Sequence, residues 1–238
     1  MVNVAQNLGE RIVYYVNYAG SLTKLFFRTL YWMFIPPFKR ERLFVQARTI
    51  GVDSLLIVTP PYTKPHIDGL IAHFSIIAKA VQIPLCLYHV PGRTGYKLLP
   101  EDIQKICAVD GVEGVKEASG DLRLFAVARR LARVPFLSGD DTTFLPSLSI
   151  DGHGCISVIS NVYPSEMVNM QNLFQAGNWY EAYSIYDKIL ALMELLASNN
   201  PSPLKAALSI KGLCKNILRL PMTPVGERVY NAIAGELS

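Results

Sequence analysis

The chain has 238 residues, half of them hydrophobic, which is enough for one sizeable core at a length where α/β barrels form a single domain. Its net charge of +4 comes from scattered basic residues, with no basic stripe interleaved with aromatics, and this argues against a nucleic-acid partner. Cys86, Cys107, Cys155 and Cys214 lie far apart and form no C-x-x-C pair, so they read as free, buried thiols of a cytoplasmic protein. His66, His73, His89 and His153 show no metal-ligand spacing and read as non-ligands.

Residues 1–40 stand apart from the rest. Leu22–Phe38 is strongly apolar and aromatic but holds Lys24 and Arg28, which makes it too short and too charged for a membrane span. It reads as a packed amphipathic segment; a membrane-surface anchor, or a stretch foreign to the fold, stays open. The start has neither a basic n-region nor a small-residue cleavage site, so no secretory signal is expected.

From about residue 41 strand-like and helix-like segments alternate. The strand candidates are Leu55–Thr59, Leu85–Val90, Val112–Lys116, Phe136–Gly139 and Cys155–Ile159. Each is a nearly continuous apolar run, the pattern of strands covered on both faces of a parallel sheet. Between them, Asp68–Val81 carries Leu70, Ile71, Phe74, Ile77 and Ala78 at helical spacing. Pro100–Cys107 opens with two acids in its first turn, and Asp121–Ala132 opens with Asp121 as its N-cap. The repeat of roughly 20–30 residues is that of a βα unit. After Ser160 the pattern is wholly helical: Ser165–Ala176, Tyr180–Ala197 and Leu204–Leu218, with Asn200-Pro201-Ser202-Pro203 separating the last two. The expected organisation is therefore a divergent segment 1–40, a barrel-like region 41–164 and a helical region 165–238.

In parallel α/β folds the chemistry gathers at the C-terminal ends of the strands. Here those ends carry Tyr62, then Tyr88 with Arg93, then Lys116, then Gly139-Asp140-Asp141, then Ile156-Ser157. Lys116 follows the apolar run Val112 to Val115, where burial lowers an amine's pKa; a neutral amine can add to a ketone and form a Schiff base. Two phenols can pass protons, and a guanidinium can grip a carboxylate bidentately. Asp140-Asp141 lacks the further oxygen ligands of a hard-cation site, so no metal is expected and capping or loop hydrogen bonding is preferred. No phosphate-binding glycine loop is present.

Five strings carry a resemblance: Val58-Thr59-Pro60-Pro61-Tyr62-Thr63-Lys64-Pro65, Leu87-Tyr88-His89-Val90-Pro91-Gly92-Arg93-Thr94-Gly95, Gly114-Val115-Lys116-Glu117-Ala118-Ser119-Gly120, Leu137-Ser138-Gly139-Asp140-Asp141 and Gly154-Cys155-Ile156-Ser157-Val158. In order and spacing they resemble dihydrodipicolinate synthase (4-hydroxy-tetrahydrodipicolinate synthase). Asn200-Pro201-x-Pro203-x-Lys205 and Leu218-Arg219-Leu220-Pro221-Met222-Thr223-Pro224 look like that family's C-terminal helical region, so the resemblance runs from about Arg42 to Val225. Arg93 separates it from N-acetylneuraminate lyase, whose corresponding loop typically lacks that arginine. The resemblance implies a (β/α)8 TIM-barrel fold, of which five C-terminal βα units are recognisable, with a C-terminal helical extension. It implies condensation of pyruvate with aspartate semialdehyde in diaminopimelate and lysine biosynthesis, with no cofactor beyond the covalent imine between pyruvate and lysine. By the same carry-over Lys116 forms the imine and Tyr88 shuttles protons. Arg93 binds the carboxylate of the second substrate, the backbone carbonyl of Ile156 lies by the pyruvate, and Tyr62 reaches across a subunit interface of a homodimer or homotetramer.

Two departures accompany the resemblance. The family's Gly-Thr-Thr-Gly-Glu string, whose threonine joins the tyrosines in a proton relay, does not occur; the nearest string, Ala19-Gly20-Ser21-Leu22-Thr23, is not a match. One tyrosine of the family's Tyr-Tyr pair is Pro61. Alternative readings are therefore a catalytically impaired remnant or non-catalytic subunit of the same family, or a related pyruvate-dependent aldolase with another aldehyde.

Overall fold

In a computed structural model of the chain, which describes residues 52–237, five short strands lie side by side, all parallel and in sequence order. They are β1 (Leu55–Val58), β2 (Leu85–His89), β3 (Val112–Glu117), β4 (Phe136–Ser138) and β5 (Gly154–Cys155). The expectations for residues 1–40, including Leu22–Phe38, lie outside the described residues. Helices follow each strand: α1 (Ile67–Val81), the single turn α2 (Pro91–Thr94), α3 (Pro100–Cys107), α4 (Leu122–Ala132), α5 (Phe144–Leu148), α6 (Pro164–Gln175), α7 (Trp179–Ala197), α8 (Ser202–Ile210) and α9 (Glu227–Leu237). No helix among the described residues is long and apolar enough to cross a membrane.

Local chemistry explains where the helices begin. Pro100 stands in the first turn of α3, and the Asp102 carboxylate accepts the Leu99 N–H at 3.3 Å. Asp121 caps α4 by accepting the Leu124 N–H at 2.9 Å. Gln82 and Arg133 end α1 and α4 in the left-handed region.

Coverage of the strands alternates instead of being uniform. Leu85, Leu87 and His89 of β2 are buried while Cys86 and Tyr88 are only partly covered; in β3 Val115 and Glu117 are buried while Lys116 is half-buried. One face lies beneath the helices, where Phe125 of α4 meets Phe136 of β4 edge-on at 5.4 Å between ring centroids. The other face carries the strand-end groups, with Cys86, Tyr88 and Lys116 only partly covered.

The helix α9 and the short α2 and α5 lie outside the expected helices, and two expected elements have other bounds. The run Cys155–Ile159 is strand only over Gly154–Cys155, because the Asp141 carboxylate takes the N–H groups of Val158 and Ile159 and turns the chain into a 3-10 turn at Ile159–Asn161. The helix expected over Leu204–Leu218 starts earlier, at Ser202, and stops at Ile210, because Gly212 adopts a left-handed conformation (φ 72°) and the Leu213 N–H folds back to the Leu208 carbonyl. A second core joins Phe144, Leu145, Leu148, Ile159 and Val162 to Met170, Ile189, Leu192, Met193, Leu196, Ala206 and Ile233 of the C-terminal helices.

Candidate active site

Lys116 and Tyr88 sit on neighbouring strands in direct register, and the Lys116 Nζ lies 4.3 Å from the centroid of the Tyr88 ring. Both project from the same face, since residues paired across a ladder share a face. Burial lowers the Lys116 pKa from its ordinary value, opposed by Cys155, Asp140, Asp141 and Cys86. Burial likewise pushes the Tyr88 phenol up, while the Arg93 guanidinium draws it down and Asp140 adds to the rise. Asp140 is raised by its own burial and by Glu117 and Asp141, against Lys116 and Arg93. The group is a half-buried amine beside a phenol whose pKa is raised, with Asp140 near enough to influence both and the Arg93 guanidinium near enough to influence the phenol.

Glycine makes room for the amine. A Cβ at Gly139 would stand 2.5 Å from the Ala118 Cβ and 3.0 Å from the Lys116 Cε, so only glycine lets β4 pass this close to the lysine.

Arg93 lies in α2, the turn that follows β2, and is exposed. Ile156 follows β5 and is held to β4 by its N–H, which donates to the Ser138 carbonyl at 2.9 Å. Tyr62 is different. Its backbone N–H donates to the Thr94 carbonyl at 3.2 Å, which ties it to the Arg93 turn, but the residue is 92% exposed and has φ 70°. Its side chain is open to solvent. Asp141 is buried and caps loop N–H groups, the role preferred for it from sequence; the Ser138 hydroxyl meets the Asp140 carbonyl at 2.7 Å and the Thr143 hydroxyl at 2.8 Å.

One pair escaped the sequence reading. His89 and Glu117, each the residue after a site residue, are buried at 0% and 3% exposure, with Nδ1 of His89 at 2.9 Å from Oε1 of Glu117. Their only sequence signal is that each directly follows a strand-end candidate.

Residues 42–238 match the Dihydrodipicolinate synthetase family. The chain belongs to that family. It is 40% identical over 184 residues to a 4-hydroxy-tetrahydrodipicolinate synthase of Syntrophus aciditrophicus, covering 76% of this chain and 63% of the relative. It is 42% identical over 180 residues to the enzyme of the same name from Leptospira biflexa, covering 74% of this chain and 61% of the relative. The chain thus spans less than two thirds of the length of these relatives. The dihydrodipicolinate synthase of Thermotoga maritima superposes with a TM-score of 0.80 at 34% identity, covering 84% of this chain and 71% of that one. The chloride-inhibited enzyme of Acinetobacter baumannii, complexed with pyruvate, superposes with a TM-score of 0.78 at 34% identity, covering 82% and 68%. The fold is of the family's (β/α)8 TIM-barrel type, with five consecutive βα units in the described residues and a helical C-terminal part.

Proposed function

We propose that this chain is a Schiff-base lyase that condenses pyruvate with aspartate semialdehyde to 4-hydroxy-tetrahydrodipicolinate. The observation that carries the reading is the half-buried Lys116 amine, lowered in pKa and 4.3 Å from the Tyr88 ring. Neutral Lys116 adds to the ketone carbon of pyruvate, and the displaced oxygen leaves as water after taking up protons. Tyr88, kept protonated by burial, supplies and recovers them. The resulting imine acidifies the neighbouring methyl group, and the enamine formed on its deprotonation attacks the aldehyde carbon of the second substrate, whose oxygen takes up a proton and becomes the hydroxyl. The amino group of that substrate then closes on the imine carbon and displaces Lys116 as the free amine. The protonated imine that Lys116 forms is the electron sink, so no cofactor or metal is required. Arg93 grips the carboxylate of the aldehyde substrate, and the Ile156 carbonyl faces the pyruvate.

Tyr62, extended into solvent from the Arg93 turn, is available to the site of a second copy, which favours a homodimer or homotetramer. One structural neighbour is nevertheless characterised as the first monomeric dihydrodipicolinate synthase variant. Residues 41–164 form the barrel region and 165–238 the helical region, with 1–40 as a divergent segment.

The absent Gly-Thr-Thr string and Pro61 favour a second reading, a catalytically impaired member or non-catalytic subunit. One experiment separates the two. The chain is incubated with pyruvate, reduced with borohydride and mapped by mass spectrometry. An adduct on Lys116 is expected. An adduct confined to another lysine overturns the assignment, and no adduct at all selects the second reading.

A further inference from the structure

We propose that His89 is a positioning residue whose two ring nitrogens have separate tasks: one holds together the strand ends bearing Tyr88 and Lys116, and the other anchors the segment that carries Arg93. The inference rests on the function proposed above for those three residues. The Leu98 N–H donates to Nε2 of His89 at 3.1 Å, so Nε2 bears the lone pair. Nδ1 therefore carries the proton and donates to Oε1 of Glu117 at 2.9 Å. The same carboxylate oxygen accepts the Ser119 N–H at 2.9 Å, and the Ala118 N–H donates to the His89 carbonyl at 2.8 Å.

His89 pairs with Glu117 across the ladder one step beyond the pairing of Tyr88 with Lys116. Side chains alternate along a strand, so the imidazole and carboxylate lie on the face opposite the amine and the phenol. His89 is fully buried and out of reach of substrate, which makes it a bolt behind the site. Leu98 closes the segment that begins at α2, so Nε2 holds the far end of the stretch bearing Arg93, whose near end is tied by the Thr94 N–H to the Val90 carbonyl at 3.1 Å. A buried donor without its partner is costly, so both ring nitrogens constrain their surroundings.

Two substitutions divide the tasks. In His89→Asn the amide nitrogen takes the place of Nδ1 and keeps the bond to Glu117, but nothing reaches the Leu98 N–H. In His89→Gln the amide oxygen reaches the position of Nε2 and keeps Leu98, but Glu117 loses its donor. Hydrogen exchange on the full chain, followed peptide by peptide without substrate, is expected to accelerate roughly five- to tenfold at residues 92–98 in His89→Asn and at residues 117–119 in His89→Gln. With pyruvate as probe, His89→Gln slows borohydride trapping on Lys116 by a similar factor. His89→Asn leaves trapping within about twofold and instead raises KM for aspartate semialdehyde, with kcat little changed. Equal loosening of both segments in both variants, or none in either, overturns the positioning role. If the unsubstituted chain traps no pyruvate, the proposed function fails, while the exchange pattern still decides the role of His89.

Discussion

Lys116 is a side chain whose charged form the fold disfavours. Burial disfavours its ammonium form, and the nearby acids recover only part of that cost. Its folded-state pKa therefore lies below the ordinary value of 10.5 that it regains on unfolding. The sign follows from proton counting. Where the unfolded chain binds more protons, stability rises with pH. The penalty is full below the folded pKa and fades as pH rises through the folded pKa toward 10.5. Lys116→Met, similar in length and uncharged, is expected to raise Tm at neutral pH, with the gain shrinking on approach to the alkaline end, while abolishing pyruvate trapping. Thermal unfolding of both proteins across pH 7–10 is the measurement; a lower Tm for the substituted protein throughout would remove the claim that this lysine is held under burial strain.

Among the elements, the turn that follows β5 is held by one side chain. Asp141 is 8% exposed, and its carboxylate accepts the Val158 N–H at 3.1 Å and the Ile159 N–H at 2.8 Å. It thereby sets the turn just beyond Ile156. Asp141→Ala strands two N–H groups and is expected to cost about 2–3 kcal/mol, or roughly 5–10 °C in Tm. Asp141→Asn keeps one acceptor and should cost about 1 kcal/mol. Equal losses from the two changes, read by thermal or denaturant unfolding, would mean that the charge and not the acceptor geometry holds the turn.

At the scale of the whole molecule, two features bear on activity. The chain spans 63% of the Syntrophus aciditrophicus relative, and its sequence lacks the Gly-Thr-Thr string. Leu56 and Val58 of β1, on the face that carries Tyr88, remain 43% and 40% exposed. A relay deprived of one positioned proton carrier typically loses about 10²–10⁴-fold in rate. The 238-residue chain assayed alone is therefore expected to condense pyruvate and aspartate semialdehyde more slowly than the Thermotoga maritima enzyme by that order, and to elute as an assembly or aggregate in size-exclusion chromatography. A soluble monomer with comparable turnover would show that the relay is completed by other groups.

Sequence alone determined what depends on near neighbours. Apolar runs marked the strands to within a residue or two, apart from Cys155–Ile159, and Pro100 and Asp121 marked helix starts because their effects act within one turn. Lys116, Tyr88 and Arg93 were legible as strand-end groups because parallel strands all end on one side. Tertiary structure alone decided what depends on register and distant partners. The 4.3 Å approach of Lys116 to Tyr88 needs β2 and β3 in one pairing. The His89–Glu117 bond spans 28 residues, and Gly139 matters only because β4 lies against Lys116. Asp141 reaches N–H groups 17 and 18 residues away, which is why β5 ends early. Local propensity carries no record of such contacts; they exist only once the strands are packed side by side.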